Sequence, residues 1–528
     1  MKLPFSLTRT FFGLCLGASV FALSAQQAVP PPEANELQAV RQISEIPVRI
    51  KELRRIKAAY PQSAIMSRID AALLDAVSQN ADSLDKLLAA QGEIIDNSSN
   101  PSERFSLISN AINMILAHSK VDAFSKPAVV KAVQDYRSNG LKLVDDPEFA
   151  SHMSPGRRDF VIGRVRTTFD IPLVKAHLLN GDSHAALNVL EKTEETLRDV
   201  SWYNTLGSVY LEMKRDREAL GAFFEAAAEG DRNAIASARN LYAKLNGSSG
   251  INDNSANFYA ELDKVRGTRP FQPPPFTPPA NWKGKAVLAE VFTGSECGPC
   301  VAATYGFDGL KETYPTQYLA VLKYHLPIPT YDPMMNHATT KRQDYYKVNS
   351  TPTAIIDGVE KVPAGGGRTA SFATFSRAKD VIDSFLTADA NITIKASGVI
   401  SGDAVQVNCE FSKVIESADY HVLLVQTEEE FKGANGIVTH KMVVRDIETI
   451  RPTDKATVTF NIPASEKAAE AHIAAWGETV SQSRKGSKWP IKQNIIDRNK
   501  LKAVIFVQDT NSKQVYNAFV TDLIPFIF

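Results

Sequence analysis

The spacing of apolar residues divides this chain into a long helical part and a later part rich in strands. From about residue 35 to 250, apolar residues recur three and four positions apart, as in ELQAVRQISEIPVRIKELRRI and IMSRIDAALLDAVSQNADSLDKLLAA. This spacing matches one face of an α-helix. Prolines and glycines interrupt the pattern at short intervals. The pattern therefore predicts a domain over residues 35–250 in which short helices stack in pairs as a solenoid.

One segment of the helical part is marked more clearly than the rest. VSWYNTLGSVYLEMKRDREALGAFFEAAAEGDRN alternates small and large residues in a way that suits two facing helices, with Tyr203, Leu206, Gly207, Tyr210, Ala219, Phe223 and Ala226 at the packing positions. It resembles the tetratricopeptide repeat, and a looser copy precedes it. The resemblance implies a concave protein-binding surface, although the same positions would also serve only to pack a helical hairpin.

The last part of the chain has the alternation of β-strands. From residue 391 the apolar runs are short, as in ITIKASGVI, DAVQVNCEFSK, ATVTFNI and QVYNAFVTDL, with turn signals such as ISGDA between them. This pattern predicts a β-sandwich domain over residues 389–528. Upstream, residues 268–281 include PFQPPPFTPP, whose prolines favour an extended spacer. We predict that this linker separates the helical domain from a third domain, residues 282–388.

Residues 282–388 carry the candidate chemistry, because an apolar run, AVLAEVF, leads into CGPC and a helix-like run. At a helix N-terminus, free N–H groups and the positive end of the dipole stabilise a thiolate, the attacking species in disulfide exchange. Cys300 can close an intramolecular disulfide with Cys297. A redox pair is the leading interpretation, and a structural disulfide is an alternative. Half of a zinc site is less favoured, because Cys409 is the only further cysteine after Cys300.

The order of these segments resembles the thioredoxin family, whose active-site sequence is CGPC. AVLAEVF is similar to the family's strand before the active site, VAATYGFDGLKETY to the helix after it, YLAVLKYHL to the next strand and VNSTPTAIIDG to the cis-proline segment. The resemblance implies a catalytic Cys297–Cys300 disulfide, a cis Pro352 beside it, and a substrate chain held by Thr351, Gly298 and Pro299. It implies no cofactor and no metal. Glu296 stands where thioredoxins have Trp, which leaves the redox potential open.

Two further polar residues stand at strand positions near the motif. Glu290 lies within the apolar run before CGPC, and a buried acid is costly unless it is paired or functional. The resemblance implies that Glu290 relays the proton of Cys300, whereas a strand-end Glu that faces water is the alternative. His325 ends the next strand, where it could lie near the disulfide or serve only in packing. His440 and Arg445, on a later strand, are interpreted as facing solvent.

The first 25 residues have the pattern of a secretory signal peptide. Lys2 and Arg9 precede an apolar run over residues 11–21, and small residues lead to a cleavage site near Ala25. The run is too short for a transmembrane helix, so we expect an exported protein that is periplasmic or secreted, with association with the cell envelope as an alternative. The chain has 59 basic and 59 acidic residues, and loss of the signal would leave a charge of about −2, which argues against nucleic acid as a partner.

These features together predict a multidomain protein with an α-helical repeat region, an α/β thioredoxin-like domain and a C-terminal β-sandwich. We expect it to be an exported thiol–disulfide oxidoreductase whose partners are protein thiols or disulfides and a second redox protein. The helical repeats and the β-sandwich would recruit or position protein substrates. The alternative is a non-catalytic cell-envelope scaffold or protein-binding module that contains a redox-inert thioredoxin-like domain.

Overall fold

The computed structural model describes residues 31–98, 100–151, 161–162, 165, 167–246, 255–479 and 494–525. The predicted signal peptide therefore lies outside the described residues. The chain divides into two compact units, residues 1–151 and 152–528, and each is described by itself. Among the described residues, none of the helices combines the length and the apolar character that a bilayer crossing requires.

The first unit is helical throughout its described residues. Its helices are α1 (Pro32–Val40), α2 (Ile46–Ala59), α3 (Met66–Asn80), α4 (Leu84–Asp96), α5 (Pro101–Leu116) and α6 (Lys126–Val144). In α3, Ile69, Leu73 and Val77 are buried at a spacing of four residues, as expected for the inner face of a helix. The side chain of Asn100 caps α5 by accepting hydrogen bonds from the first-turn N–H groups.

The second unit begins with another series of helices, so the helical character expected over residues 35–250 is confirmed in the described residues. These helices are α7 (Asp170–Leu179), α8 (Ser183–Glu191), α9 (Val200–Glu212), α10 (Asp216–Ala228), α11 (Arg232–Leu245) and α12 (Ser255–Gly267). Gly207 of α9 faces the ring of Phe223 on α10, and an added Cβ would lie 2.6 Å from that ring. The close approach of these two helices therefore requires glycine at this position.

A mixed sheet of eleven strands forms the rest of the second unit. Its strands are β1 (Val287–Thr293), β2 (Leu319–His325), β3 (Thr353–Ile356), β4 (Glu360–Val362), β5 (Ile394–Ser401), β6 (Ala404–Phe411), β7 (Ala418–Glu430), β8 (Thr439–Ile450), β9 (Lys455–Asn461), β10 (Leu501–Asp509) and β11 (Val515–Pro525). Their order across the sheet is β4-β3-β1-β2-β8-β7-β10-β11-β5-β6-β9. The helices around it are α13 (Cys300–Thr313), α14 (His337–Tyr346), α15 (Ser371–Leu386) and α16 (Ile462–Thr479).

Alternation along β1 assigns its side chains to two separate cores. Ala289 and Val291 pack with α13 and α15 on one face. Leu288 and Phe292 pack on the other face with residues of α14, β7, β8 and β10. Successive side chains of a strand point to opposite faces. Odd-numbered residues of β1 therefore pack against α13 and α15, and even-numbered residues face the side that carries α14.

The strands predicted after residue 389 are present, but they continue the sheet that contains β1 and do not form a separate two-sheet body. β8 lies beside β2 in parallel, with Val443 opposite Lys323. The buried run at the centre of β7 is apolar on both faces, as is typical of a strand covered on both sides. One of these faces packs against β5, β6 and β9, so the sheet curls over itself to enclose a third core.

The predicted proline-rich linker contains neither helix nor strand, and its aromatic residues are anchored. Phe271 packs against Phe372 and Phe375 of α15, and Phe276 packs against Tyr314 and Tyr318. These ring contacts attach residues 268–281 to the surface of the sheet–helix layer. The segment is therefore part of the second unit and not a free spacer.

Candidate functional site

The CGPC motif forms the turn between β1 and α13. Cys297 and Cys300 are joined as a disulfide, and Cys300 is the first residue of α13. The N–H of Cys300 donates to the carbonyl of Cys297 at 3.1 Å, which closes the turn. Gly298 and Pro299 are exposed at its tip. The strand, turn and helix predicted around the motif are thus present.

Cys297 and Cys300 are both buried. Disulfide exchange would lead one to expect that Cys297 is accessible to solvent. Cys297 is 1% exposed and Cys300 is fully buried. Residues 431–438, which connect β7 to β8 and are here named the covering loop, lie over the motif. Asn435 donates its backbone N–H to the carbonyl of Ser295 and its side-chain amide to the carbonyls of Gly294 and Cys297, at 3.2–3.3 Å.

Three further contacts fasten the covering loop to the motif. The N–H of Ala434 donates to Glu296 Oε1 at 3.3 Å, so the residue directly before Cys297 holds the loop. Ile437 packs against Val301 and Tyr305 of α13. A Cβ added to Gly433 would lie 2.3 Å from the carbonyl oxygen of Ser295, so only glycine permits this approach.

The segment predicted to contain a cis-proline lies next to another loop that borders the motif. The Thr351–Pro352 bond is cis, as the resemblance implies, and Ile328–Pro329 is cis as well. Thr351 Oγ1 donates to the carbonyl of Ile328 at 3.0 Å, and the ring of Pro352 lies against Gly365. Gly366, one residue further on, donates to the carbonyl of Pro299 at 2.9 Å.

The helical part of the second unit reaches the same loop. Arg368 forms an ion pair with Glu225 of α10, and the N–H of Thr369 donates to the carboxylate of Glu229. The helical hairpin of α9 and α10 thereby supports residues 363–370, which in turn contact the exposed tip of the CGPC turn. The sequence does not indicate this contact, because the two segments lie about 140 residues apart.

Glu290 is buried and paired, so the alternative in which it faces water is wrong, while its proton-relay role stays a prediction. It is fully buried on the face of β1 opposite to α13, because its parity matches that of Leu288 and Phe292. Arg342 of α14 donates to both carboxylate oxygens at 2.9 Å, and the hydroxyls of Tyr324 and Tyr346 donate at 2.9 and 2.6 Å. Each carboxylate oxygen of Glu290 thus accepts two hydrogen bonds, on the face of the sheet opposite to α13.

A second buried ion pair lies on the face of the sheet that does pack against α13. Lys323 of β2 donates to Asp308 of α13 at 2.6 Å. Burial lowers the pKa of Lys323, although the carboxylate of Asp308 opposes this shift. Sequence reasoning missed this pair, and its signal was a lysine inside the apolar run YLAVLKYHL.

His325 lies two residues further along the same face of β2 and is paired with Asp332. His325 Nδ1 is 2.9 Å from Asp332 Oδ2, and both residues are buried. Asp332 also accepts from the backbone N–H groups of Ser295 at 2.6 Å and Met334 at 2.8 Å. Burial raises the pKa of Asp332, but His325 and these N–H groups outweigh burial and hold the pKa below its usual value.

His440 and Arg445, interpreted from sequence as facing solvent, are both buried. The ring of His440 meets that of His325 edge-on, with centroids 5.0 Å apart, and its Nε2 donates to the carbonyl of Phe431 in the covering loop at 2.9 Å. Burial lowers the pKa of His440 to about 3, so the ring is neutral at ordinary pH. Arg445 is paired with Glu429 at 2.5 Å.

The remaining candidate ligands do not assemble around the disulfide. Cys409 lies in the core enclosed by β5, β6 and β9, where burial raises the pKa of its thiol to about 11. Within the described part of the chain, no three His, Cys, Asp or Glu side chains are grouped so that they could hold a metal ion.

Comparison with known proteins leaves this chain without an assigned family. No family model matches the sequence, and no curated protein matches it either. Among solved structures, a protein from Agrobacterium tumefaciens is similar at 17% identity, with a TM-score of 0.29, over 44% of this chain and 92% of that chain. A likeness this distant carries no argument about function.

Proposed function

We propose that this protein is an exported thiol–disulfide oxidoreductase of thioredoxin type that exchanges disulfides with protein substrates through Cys297 and Cys300. The observation that carries the proposal is a disulfide at the first residue of α13, at the end of a buried parallel strand. The dipole and the free N–H groups at that helix end favour a thiolate on Cys297 over a thiol.

The proposed reaction needs only the two sulfurs. In the reduced protein the thiolate of Cys297 attacks a substrate disulfide, a mixed disulfide forms, and one substrate thiolate leaves. The thiolate of Cys300 then attacks the sulfur of Cys297, which releases the second substrate thiolate and restores the Cys297–Cys300 bond. Two electrons pass to the substrate, and the reverse sequence oxidises it.

The covering loop must move for this reaction to occur, because Cys297 is 1% exposed beneath it. Its main polar attachment is the three hydrogen bonds of Asn435 to the motif. At about 0.5–1.5 kcal/mol net for each bond, opening costs roughly 2–4 kcal/mol from this source. A cost of that size leaves a minor open population that a substrate can capture.

The test is the reaction of the reduced protein with 5,5′-dithiobis(2-nitrobenzoate). The first thionitrobenzoate reports attack by Cys297, and the second reports resolution by Cys300. We expect Cys300→Ser to show the first phase only and to retain the probe as a mixed disulfide. Cys297→Ser should lose the first phase. If the folded wild type reacts no faster than Cys297→Ser, the protein is not an oxidoreductase.

A second candidate function is a non-catalytic scaffold in which the disulfide is only structural, and the burial of both cysteines favours it. In that case reduction should lower the free energy of unfolding, while native thiols remain unreactive. Removal of a structural disulfide typically costs about 2–5 kcal/mol in small domains. Denaturant titrations of the oxidised and reduced forms, combined with the probe reaction, distinguish the two functions.

The helical hairpins that resemble tetratricopeptide repeats have a supporting role in this proposal. Through Glu225 of α10 and Glu229, which follows α10, they hold residues 363–370 against the CGPC turn. We propose that protein substrates are positioned from this side, where Gly298 and Pro299 are exposed.

A further inference from the structure

We infer that His325, held by Asp332, takes up the proton of Cys300 when the mixed disulfide is resolved. This inference rests on the proposed function and names a residue that assists it. Resolution requires Cys300 to lose its proton, because the thiolate and not the thiol attacks. A buried thiol needs a nearby acceptor for that proton, since bulk water does not reach it.

The position of His325 in the sheet brings it to the CGPC turn. It is the last residue of β2 and lies opposite Thr293, the last residue of β1 before the motif. A Cβ added to Gly294 would lie 3.1 Å from the carbonyl of Leu326 and 3.6 Å from the Cβ of Cys297. The chain at His325 and the chain at the disulfide are therefore immediate neighbours.

The side chain of His325 lies on the face that packs against α13. Leu319 and Val321 belong to the core formed with that helix, and Lys323 bonds to Asp308 of the helix. His325 continues this series of alternate positions, because side chains two apart in a strand share a face. Glu290 has the opposite parity and is directed to the other side of the sheet.

The hydrogen bonding of His325 leaves one ring nitrogen available as a base. Asp332 accepts from Nδ1, so the neutral ring carries its proton there and has a lone pair on Nε2. Nε2 is buried and has no hydrogen-bond partner among the described residues. A buried acceptor without a hydrogen-bond partner is unfavourable. A role in accepting the proton of Cys300 during each reaction cycle would explain why Nε2 is left without a partner.

The other buried acids near the motif are already committed. Glu290 accepts four hydrogen bonds, and Asp308 is bound to Lys323. His325 is the base whose accepting atom is free within the described residues. Its Asp332 partner would stabilise the imidazolium that forms on proton uptake, since an opposite charge at hydrogen-bonding distance favours the charged ring.

The thiol of Cys300 gives its proton to His325 Nε2, and the resulting thiolate attacks Cys297 Sγ. The bond between Cys297 Sγ and the substrate sulfur breaks as the Cys297–Cys300 bond forms, and the substrate thiolate leaves with the electron pair. The imidazolium then returns its proton to that thiolate or to solvent.

The other titratable groups around His325 are paired or neutral. These groups are Asp332, in the segment that follows β2, Lys323 on β2, and His440 and Arg445 on β8. His440 is neutral at ordinary pH, and Lys323 and Arg445 are each paired with a carboxylate.

The test is the pH dependence of the second thionitrobenzoate phase in the full-length protein. In wild type the rate of this phase should fall, with an inflection, towards acid pH, because a protonated ring cannot accept the proton of Cys300. His325→Gln should slow it about 100-fold near neutral pH and remove that inflection, while the first phase changes little. Asp332→Asn should move the inflection to lower pH, because the ring loses its negative partner.

His337→Gln is the matched control. His337 is an exposed histidine that is also paired with a carboxylate, Asp446, and its replacement should leave the rate and the inflection unchanged. An unaltered pH profile in His325→Gln, with both phases present in wild type, would overturn this inference and leave the proposed function standing. Absence of both phases in wild type would instead reject the proposed function. If His325→Gln does not fold, an unshifted inflection in Asp332→Asn overturns the inference.

Discussion

At the residue scale, Glu290 and Arg342 form a buried pair in which each charge depends on the other. Arg342 is buried, donates to both oxygens of Glu290, and also donates to Gln508 of β10 at 3.0 Å. A buried charge is tolerated when it is paired and hydrogen-bonded, and it becomes costly when its partner is removed. The pair therefore fastens α14 to β1 and β10.

Glu290→Gln should lower the free energy of unfolding by about 3–5 kcal/mol, because it leaves the guanidinium of Arg342 buried without a counter-charge. Tyr324→Phe removes only the one hydrogen bond that Tyr324 donates to the same carboxylate and should cost about 1 kcal/mol. Denaturant titration measures both. Slower resolution by Cys300 in Glu290→Gln without loss of stability would contradict the structural role and restore the proton-relay interpretation.

At the element scale, the covering loop determines whether the sulfurs can be reached. Its contacts with the motif are concentrated in Asn435, in Gly433 and in the packing of Ile437 against α13. His440, at the start of β8, is bonded to the first residue of the loop. The loop is thus fixed at several points to the same turn that carries the disulfide.

Gly433→Ala should raise the rate of the first thionitrobenzoate phase, because its methyl group would meet the carbonyl of Ser295 and force the loop away. Asn435→Ala should act in the same direction, with a gain of about tenfold if one to two hydrogen bonds limit opening. Thr439→Ala is the control, since it removes an exposed hydroxyl beside the loop. If wild type, Gly433→Ala, Asn435→Ala and Thr439→Ala all have the same first-phase rate, the loop does not limit access to Cys297.

At the scale of the whole molecule, the segments predicted as separate thioredoxin-like and β-sandwich domains share one sheet, and one of the cores contains residues of both segments. Lys285 donates to the carbonyl of Val515 at 2.8 Å and is paired with Asp357 at 2.7 Å. The N–H of Ala286 donates to Asn517 at 2.8 Å. Residues before 388 and after 389 thus complete each other's buried hydrogen bonds within the second unit.

A fragment of residues 282–388 should therefore fail to fold, because it would expose the core face of β1 and the edge of β2. Residues 152–528 form a compact unit and should unfold in a single cooperative transition. Circular dichroism and denaturant titration of the two fragments test this. A cooperative transition of the shorter fragment would mean that the shared sheet is not needed for its stability.

The sequence by itself determined the helical part, the strands, the strand–turn–helix around CGPC and the position of His325 at a strand end. Each of these follows from periodicity or chain order over a few residues. The tertiary structure decided that Glu290 faces away from α13, since a shift of one residue along a strand reverses the face. It also decided that β8 joins β2, that Arg368 meets Glu225 and that Asn435 covers Cys297. These contacts join segments about 120 to 140 residues apart, and local patterns carry no information about which distant surfaces meet.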